Sequence, residues 1–423
     1  MKRYDSYKDS GVKWIGEIPS HWKVKTLRNF LRIISDKGHP KEQLLSVVRE
    51  QGVIIRNTVS KDENHNFIPD DLRGYKLVRE GQFVINKMKS WQGSYAVSNY
   101  QGIVSPAYYT CDLRFDNKEF FNIAIRSKAY VPFFSQYSKG IRVGQWDLDP
   151  INLKRIPFFL PPLSEQHAIV SFLDTELEKI DTYMDKEQQL IERLKELKQS
   201  LIARAVTHGI NPNVKMKPSG INWIGEIPEH WKVKTLRSFL RIISDKGHPK
   251  EQLLSVVREQ GVIIRNTVSK DENHNFIPDD LKGYKLVRKG QFVINKMKSW
   301  QGSYAVSNYQ GIVSPAYYTC DLRFDNKEFF NIAIRSKAYV PFFSQYSKGI
   351  RVGQWDLDPI NLKKIPFFLP PLAEQRAIVD YLQDMTSKID KLITEKTREM
   401  EYMKELRQRI ISDAVTGKID VRS

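Results

Sequence analysis

Two long stretches of the chain repeat apolar residues with the three- and four-residue spacing of a helix. The first runs from residue 164 to about residue 206 without an internal proline or glycine, and the second begins at residue 373. This spacing predicts two long helices, each with one apolar face. The apolar positions are Leu173, Ile180, Leu190, Leu194, Leu197 and Leu201 in the first helix and Leu382, Ile389, Leu392, Met403, Leu406 and Ile410 in the second.

Both helices have matching start and stop signals. Each follows a proline pair, at residues 161–162 and 370–371, and each ends near a glycine. Ser164 is a suitable N-cap, and Glu165 and Glu374 lie where negative charge favours the helix start. The two apolar faces predict an antiparallel coiled coil, because the residues between the helices can return the chain to the far end. The alternative is that each helix packs only on its own domain.

The remaining sequence alternates short β-like runs with helix-compatible pieces. The β-like runs include LLSVV (44–48), GVII (52–55), QFVIN (82–86) and SYAV (94–97), and a helix-compatible piece begins at Lys118. Glycine, asparagine and proline separate these runs. This pattern predicts an α+β domain with many loops.

The chain contains a long internal repeat. A shift of 209 positions aligns residues 21–163 with residues 230–372, with four differences: Asn29 to Ser238, Arg73 to Lys282, Glu80 to Lys289 and Arg155 to Lys364. A repeat of this length is a whole domain rather than a solenoid unit. The predicted organisation is an opening segment (1–20), a first domain (21–163), a first helix (164–209), a linker (210–229), a second domain (230–372) and a second helix (373–423).

The charge of the chain lies in the repeated domains. The formal net charge is +18: residues 21–163 and 230–372 carry +9 and +11, and the remaining segments together carry −2. Such an excess indicates a polyanionic partner, most often nucleic acid. A scaffold that binds RNA or acidic proteins remains an alternative at this point.

The apolar runs and the cysteines of the sequence bear on its cellular location and on disulfide or metal binding. No run approaches the roughly 18 apolar residues that cross a bilayer, and residues 1–11 lack the apolar core of a signal peptide, so we expect a cytoplasmic protein. Cys111 and Cys320 are copies of one position within YYTCDLRFD. Their context predicts neither a disulfide framework nor a cysteine metal site.

The usual catalytic motifs are missing from the sequence. It has no G-x-x-x-x-G-K-[ST], H-E-x-x-H, G-x-S-x-G or paired C-x-x-C. Residues 105–108 (SPAY) only faintly resemble the motif of amino-methyltransferases. Asp70, Asp71 and Glu80 could form a nuclease site, but Glu80 is replaced by Lys289 in the second copy. We therefore predict no catalytic or metal-binding residue, and a self-contained nuclease or methyltransferase is the alternative.

Basic residues alternate with aromatic and amide residues in two segments of each repeat, which in the first copy are residues 86–102 and 137–149. Lysine and arginine attract phosphates, and arginine and glutamine can also read base edges. The alternative is that Trp91, Tyr95 and Trp146 are core aromatics and the lysines a solvated rim. The predicted DNA-binding residues are Lys87, Lys89, Gln92, Arg142 and Gln145, with Lys296, Lys298, Gln301, Arg351 and Gln354 in the second copy.

The order of basic domain, long helix, basic domain and long helix resembles the specificity subunit of Type I restriction-modification enzymes. The resemblance rests on WIGEIPSHW (14–22), SYAVSNYQGIVSPAYY (94–109), the exit YSKGIRVGQWDLDPINLKRIPFFLPPLSEQ (137–166) and both helical tails. It implies a non-catalytic subunit with two target-recognition domains that each read half of a bipartite DNA site. It also implies two modification subunits that carry S-adenosylmethionine and methylate adenine, and a restriction subunit that joins for cleavage.

This sequence departs from the family by carrying one recognition domain twice. Antiparallel helices would relate the two domains by an approximate two-fold axis, and two-fold symmetry reads an inverted repeat. We therefore expect a gapped target with two identical half-sites on opposite strands. If Arg73 and Lys282, or Glu80 and Lys289, contact the DNA, the half-sites should differ slightly.

Overall fold

The structure is a computed structural model, and it describes residues 2–56, 68–140, 146–265, 277–278, 280–349 and 355–422. It divides into two compact units that do not follow chain order. Unit 1 comprises Met1–Glu187 and Arg398–Ser423, and unit 2 comprises Gln188–Thr397. Each long helix therefore contributes one part to each unit.

Unit 1 combines short strands with helices. Its strands are β1 (Tyr7–Asp9), β2 (Glu17–Pro19), β3 (Lys23–Thr26), β4 (Leu31–Ile34), β5 (Leu45–Val48), β6 (Gly52–Ile55), β7 (Lys76–Val78), β8 (Phe83–Asn86), β9 (Tyr95–Val97), β10 (Gly102–Val104), β11 (Tyr108–Leu113), β12 (Ser138–Lys139), β13 (Asp147–Leu148) and β14 (Pro157–Leu160). Its helices are α1 (Lys118–Arg126), α2 (Val131–Tyr137), α3 (Pro150–Arg155) and the first part of α4 (Leu163–His208).

The centre of unit 1 is a four-stranded antiparallel sheet in the order β4-β11-β8-β9. Cys111 lies in the middle of it, opposite Ile33 and Phe83, and is fully buried. Helix α1 packs on the sheet through a cluster of phenylalanines, in which the Phe121 and Phe158 rings stack 5.1 Å apart. Because strand residues alternate between faces, each strand supplies apolar side chains to this core.

Two-stranded ribbons surround the central sheet. In one ribbon Lys23 of β3 pairs with Leu160 of β14, which leads directly into α4. In another region β10 lies so close to the preceding loop that a Cβ added to Gly102 would be 2.4 Å from the Gln43 carbonyl oxygen. Only glycine fits at that position, and it allows the Ile103 N–H to donate to the same oxygen at 2.8 Å.

Unit 2 repeats these elements in the same order. Its strands are β15 (Met216–Pro218), β16 (Glu226–Pro228), β17 (Lys232–Thr235), β18 (Leu240–Ile243), β19 (Leu254–Val257), β20 (Gly261–Ile264), β21 (Lys285–Val287), β22 (Phe292–Asn295), β23 (Tyr304–Val306), β24 (Gly311–Val313), β25 (Tyr317–Leu322), β26 (Ser347–Lys348), β27 (Asp356–Leu357) and β28 (Pro366–Leu369). Its helices are α5 (Lys327–Arg335), α6 (Val340–Tyr346), α7 (Pro359–Lys364) and most of α8 (Leu372–Val415). The α+β class and the two long helices predicted from the sequence are confirmed.

The segments of α4 and α8 run antiparallel within each unit. In unit 1 the Arg407 Nε donates to Asp181 at 3.1 Å, and the Tyr183 hydroxyl donates to Glu399 at 3.1 Å. In unit 2 the Lys198 ammonium pairs with Asp390 at 2.6 Å. Residues with higher numbers on α4 therefore pair with residues with lower numbers on α8, as expected for an antiparallel helix pair.

The helices also pack on the domains that they follow. Leu173 and Ile180 of α4 join the core of unit 1, together with Ile410 of α8. Leu382 of α8 joins the core of unit 2 together with Val206 of α4. Helix pairing and helix–domain packing, which the sequence posed as alternatives, occur together.

The buried positions of the two long helices differ in part from the sequence-based expectation. Four of the predicted face positions are substantially exposed: Leu190 (39%), Leu197 (52%), Leu392 (45%) and Leu406 (40%). Ile191 is instead buried, with 5% exposure. A helix with 3.6 residues per turn drifts away from a strict seven-residue repeat, so the buried stripe moves to neighbouring residues along a long helix.

In the part of the chain that the structure describes, no helix combines the length and apolarity required to cross a bilayer.

Candidate nucleic-acid interface

Several polar loops of unit 1 are joined by backbone hydrogen bonds beside the central sheet. The Lys87 N–H, just after β8, donates to Ala107 at 3.1 Å, and the Leu148 N–H of β13 donates to the Lys87 carbonyl at 3.1 Å. The Leu77 N–H of β7 donates to Asp36 at 2.7 Å. Loops that are distant in sequence therefore form one surface.

A cluster of three lysines lies on this surface, and we name Lys37, Lys76 and Lys87 the lysine cluster. The Lys76 ammonium donates to Tyr108 at 2.6 Å and lies 5.7 Å from the centre of the Tyr109 ring. Burial lowers the pKa of Lys76, and the nearby charges of Lys37 and Lys87 lower it further. Three lysines on one surface favour the approach of an anion.

The same cluster occurs in unit 2, where Lys246, Lys285 and Lys296 take the corresponding places. Lys285 donates to Tyr317 at 2.6 Å, and burial, followed by the charges of Lys246 and Lys296, lowers its pKa. Sequence reasoning identified Lys87 and Lys296 but missed the other four lysines. Lys76 lies outside the two segments that the sequence analysis selected, and the pairing of β7 with β10 brings it beside the loop at 105–107.

The described predicted residues of unit 1 lie on one turn next to this cluster. Lys87 is 31% exposed and pairs with Asp147 at 3.4 Å. Lys89 and Gln92 are exposed at the two ends of the short 3-10 helix that covers Ser90–Gln92. In unit 2 Lys296 pairs with Asp356 at 3.4 Å, and Lys298 and Gln301 are exposed. The predicted residues Arg142, Gln145, Arg351 and Gln354 lie outside the described residues.

The aromatic residues of these segments divide between core and surface. Tyr95 is a core residue that stacks on Phe134 with ring centres 3.8 Å apart. Trp91 and Trp146 are half-buried and pack on each other at 5.3 Å. The alternative of core aromatics holds for Tyr95. In the tryptophan pair, the Trp91 Nε1 donates to the Met88 carbonyl at 3.2 Å, and Met88 is 51% exposed.

His39 organises the loop that carries Lys37. Its Nε2 lies 2.8 Å from an oxygen of Asp36, and the second Asp36 oxygen accepts a hydrogen bond from Arg79 at 2.7 Å. Hydrogen bonds from His39 and Arg79 hold the pKa of Asp36 below its usual value. His248, Asp245 and Arg288 repeat this arrangement in unit 2. The histidine therefore belongs to a local polar network.

The described residues offer no grouping of three or more histidine, cysteine or acidic side chains that could hold a metal ion. Asp71, which the sequence left open as a nuclease residue, accepts hydrogen bonds from the Arg73 side chain at 3.0 Å. These bonds lower the pKa of Asp71. Its carboxylate is thus occupied by an arginine on the same turn.

Comparisons with a family model, with curated proteins and with solved structures all find Type I restriction-modification proteins. The Type I restriction modification DNA specificity domain matches residues 228–402. The first domain is nearly identical to the second, so the same fold is present twice. Residues 228–402 are thus similar to the DNA specificity domain of Type I restriction-modification systems. They span the second domain and most of the second long helix.

Two curated proteins are similar to this chain over nearly its full length. It is 24% identical to the putative Type I restriction enzyme MjaX specificity subunit of Methanocaldococcus jannaschii, over 99% of this chain and 98% of the relative. It is also 24% identical to the StySPI specificity subunit of Salmonella potsdam, over 96% of this chain and 90% of that protein.

Two solved structures share the fold of this chain. One comes from a study of complex assembly and conformational transition of a Type I restriction-modification system, with a TM-score of 0.64, 16% identity and coverage of 95% of this chain and 99% of that chain. The other is the HsdS subunit of Thermoanaerobacter tengcongensis, with a TM-score of 0.51, 16% identity and coverage of 97% and 100%.

Proposed function

We propose that each repeated domain of this specificity subunit reads one half of a gapped duplex DNA site. The observation that carries this proposal is the lysine cluster, which occurs once in each unit beside the exposed Lys89 and Gln92 or their counterparts. Lysines that converge on one surface neutralise phosphates and position the duplex, while an exposed glutamine can pair with a base edge.

The two half-sites are identical and lie on opposite strands in this proposal. Lys37, Lys76, Lys87, Lys89 and Gln92 are all repeated without change, so both domains offer the same contacts. The antiparallel direction of the helix segments within each unit supports an inverted order of the half-sites. The helices set the non-specific gap between them.

The chain itself performs no chemistry in this proposal. Two modification subunits dock on it, bind S-adenosylmethionine and methylate adenine, and restriction subunits join the complex for cleavage. Exposed leucines of the long helices support docking, because large apolar side chains in water favour contact with another protein. These leucines are Leu190, Leu197, Leu392 and Leu406.

Methylome sequencing of cells that express this chain with its modification subunit tests the proposal. We expect adenine methylation in one gapped palindrome, once on each strand. An asymmetric gapped motif would retain the DNA-reading function but remove the claim of identical half-sites. Absence of any motif would overturn the proposal.

Duplex binding by the purified chain separates this function from its alternatives. We expect a preference for the gapped palindrome over a scrambled duplex at moderate salt, since phosphate contacts alone are blind to sequence and weaken steeply with salt. Equal affinity for both duplexes would favour a scaffold. Methylation or cleavage by the chain alone would favour a self-contained enzyme.

A further inference from the structure

A half-open pocket occurs once in each unit, at the start of the long helix. In unit 1 its volume is about 360 Å³, and Phe30, Phe115 and Leu163 form its apolar wall. In unit 2 its volume is about 390 Å³, and the equivalent residues are Phe239, Phe324 and Leu372. Leu163 and Leu372 are 47% and 38% exposed, so each pocket has an apolar rim that remains in contact with water.

A buried amide in each pocket has an acceptor without a partner. The Gln166 side chain is 5% exposed, and its Nε2 donates to Pro161 at 2.9 Å. Its Oε1 is buried and accepts no hydrogen bond from any described residue. Gln375 repeats this arrangement, with Nε2 donating to Pro370 at 2.9 Å and Oε1 unpaired. Buried polar atoms nearly always have partners, so each pocket lacks a hydrogen-bond donor.

Charged side chains surround the opening of the pocket. Lys23 and Arg114 are exposed in unit 1, and within the described chain neither side chain forms a hydrogen bond or an ion pair. His21 is already engaged by Glu165 at 2.8 Å, and Asp116 adds one negative charge. The rim therefore offers two unpaired cations to an acidic group on a ligand.

We propose that each pocket binds an extended polypeptide segment of the modification subunit. An apolar side chain of that segment packs on Phe30, Phe115 and Leu163, an N–H donates to the Gln166 Oε1, and an acidic side chain meets Lys23 and Arg114. This inference rests on the proposed function, since it adds a contact for the docked partner besides the exposed leucines of the long helices. One pocket in each unit accounts for two modification subunits on one chain.

The acceptors in the pocket favour a polypeptide over a nucleic-acid backbone. A phosphodiester carries only hydrogen-bond acceptors, so it cannot donate a hydrogen bond to the Gln166 Oε1. A peptide carries N–H donors, apolar side chains and carboxylates together. These three groups match the Gln166 acceptor, the apolar wall and the cationic rim of the pocket.

Charge reversal at the rim tests this proposal in the full-length chain. The test variant carries Lys23→Glu and Arg114→Glu with Lys232→Glu and Arg323→Glu. The control carries Lys25→Glu and Arg28→Glu with Lys234→Glu and Arg237→Glu, which make the same change of charge at exposed positions outside the pockets. Affinity for the modification subunit is measured by calorimetry, and affinity for duplex DNA is measured for the chain alone.

We expect the test variant to bind the modification subunit at least about tenfold more weakly than the control, with DNA affinity of the two variants equal. A variant changed only in unit 1 should bind one modification subunit instead of two. Gln166→Leu with Gln375→Leu, which removes the acceptor without changing charge, should also weaken assembly.

Three results would contradict the inference or its basis. Equal losses in test and control variants mean that only the general charge matters. Unchanged assembly with weaker DNA binding in the test variant assigns the pocket to nucleic acid. If the unmodified chain does not bind the modification subunit at all, the proposed function itself fails, and the pocket assignment fails with it.

Discussion

A glutamate at the start of each long helix has different partners in the two units. Glu165 is 3% exposed and accepts hydrogen bonds from Tyr4, from His21 at 2.8 Å and from Trp22 at 2.9 Å. Burial, followed by the hydrogen bond to Glu165, raises the pKa of Tyr4. A carboxylate with three donors is well compensated for leaving water.

The equivalent glutamate of unit 2 has fewer partners. Glu374 pairs with His230 at 2.7 Å and its side chain is 20% exposed. The buried Trp231 Nε1 has no partner among the described residues. Asn213 stands where the repeat offset places Tyr4, so the tyrosine donor is missing. The two nearly identical domains thus differ in the hydrogen bonds that they receive from residues outside the repeat.

This difference predicts unequal effects of a matched pair of substitutions. Glu165→Gln should cost about 2 kcal/mol, because bonds to a charged acceptor are lost and buried donors remain, whereas Glu374→Gln should cost less than about 1 kcal/mol. Hydrogen exchange of the peptides around Trp22 and Trp231 measures the loss separately in each unit. Equal losses of protection would contradict the prediction.

The two cysteines provide a second prediction. Burial raises the pKa of both Cys111 and Cys320 to about 12, so both thiols are neutral in the folded protein at pH 8. The unfolded thiols ionise near pH 8.5, so folding is progressively disfavoured as the pH rises above that value toward 12. We expect neither cysteine to react with a thiol reagent at pH 8 until denaturant is added. Rapid labelling of the native protein would show that the sheet opens.

At the scale of elements, the long helices were easier to predict than their contacts. Proline pairs and the absence of internal glycine give the helix limits, and these are local signals. The buried side of a long helix depends on its partner, so the sequence pattern favoured Leu190 although Ile191 is the buried residue. Residues near the domains, such as Leu173, agree with the pattern because the domain core fixes the phase there.

Adjacent residues of α4 test the observed seam. Ile191→Ala should reduce the free energy of unfolding by about 2 to 4 kcal/mol, because it leaves a cavity in a buried contact. Leu190→Ala should change it by less than about 1 kcal/mol in the isolated chain, since that side chain is largely exposed. Thermal unfolding followed by circular dichroism compares the two. A larger loss of unfolding free energy for Leu190→Ala than for Ile191→Ala would show that Leu190 is the buried residue, as the sequence pattern predicted.

The DNA-binding surface was only partly predictable for a related reason. Lys87 and Lys89 stand in a segment whose composition indicates phosphate contact, and that signal is local. Lys37 and Lys76 lie outside this segment of the sequence, and strand pairing brings them beside it. A cluster that depends on the topology of a sheet has no signature in any one stretch of sequence.

At the scale of the whole molecule, we expect the two domains to add their phosphate contacts. Lys89→Ala with Lys298→Ala should weaken binding to all duplexes and reduce the slope of log affinity against log salt by about 2, since each contacted phosphate contributes about 0.9. Lys128→Ala with Lys337→Ala is the control, because these lysines are exposed in the same domains but lie outside the predicted segments. Equal effects in the two double variants would remove Lys89 and Lys298 from the interface.

Unit 1 has an unusual relation to the order of synthesis. Residues 398–423 belong to it, and the Asp420 N–H donates to the Lys2 carbonyl at 2.9 Å. A ribosome makes these residues after every residue of unit 2. Unit 1 therefore cannot complete its core until the ribosome has made all of unit 2 and residues 398–423. A nascent chain that stalls before residue 398 would contain every residue of unit 2, while unit 1 would still lack Ile410, Ile411 and Val415 from its core.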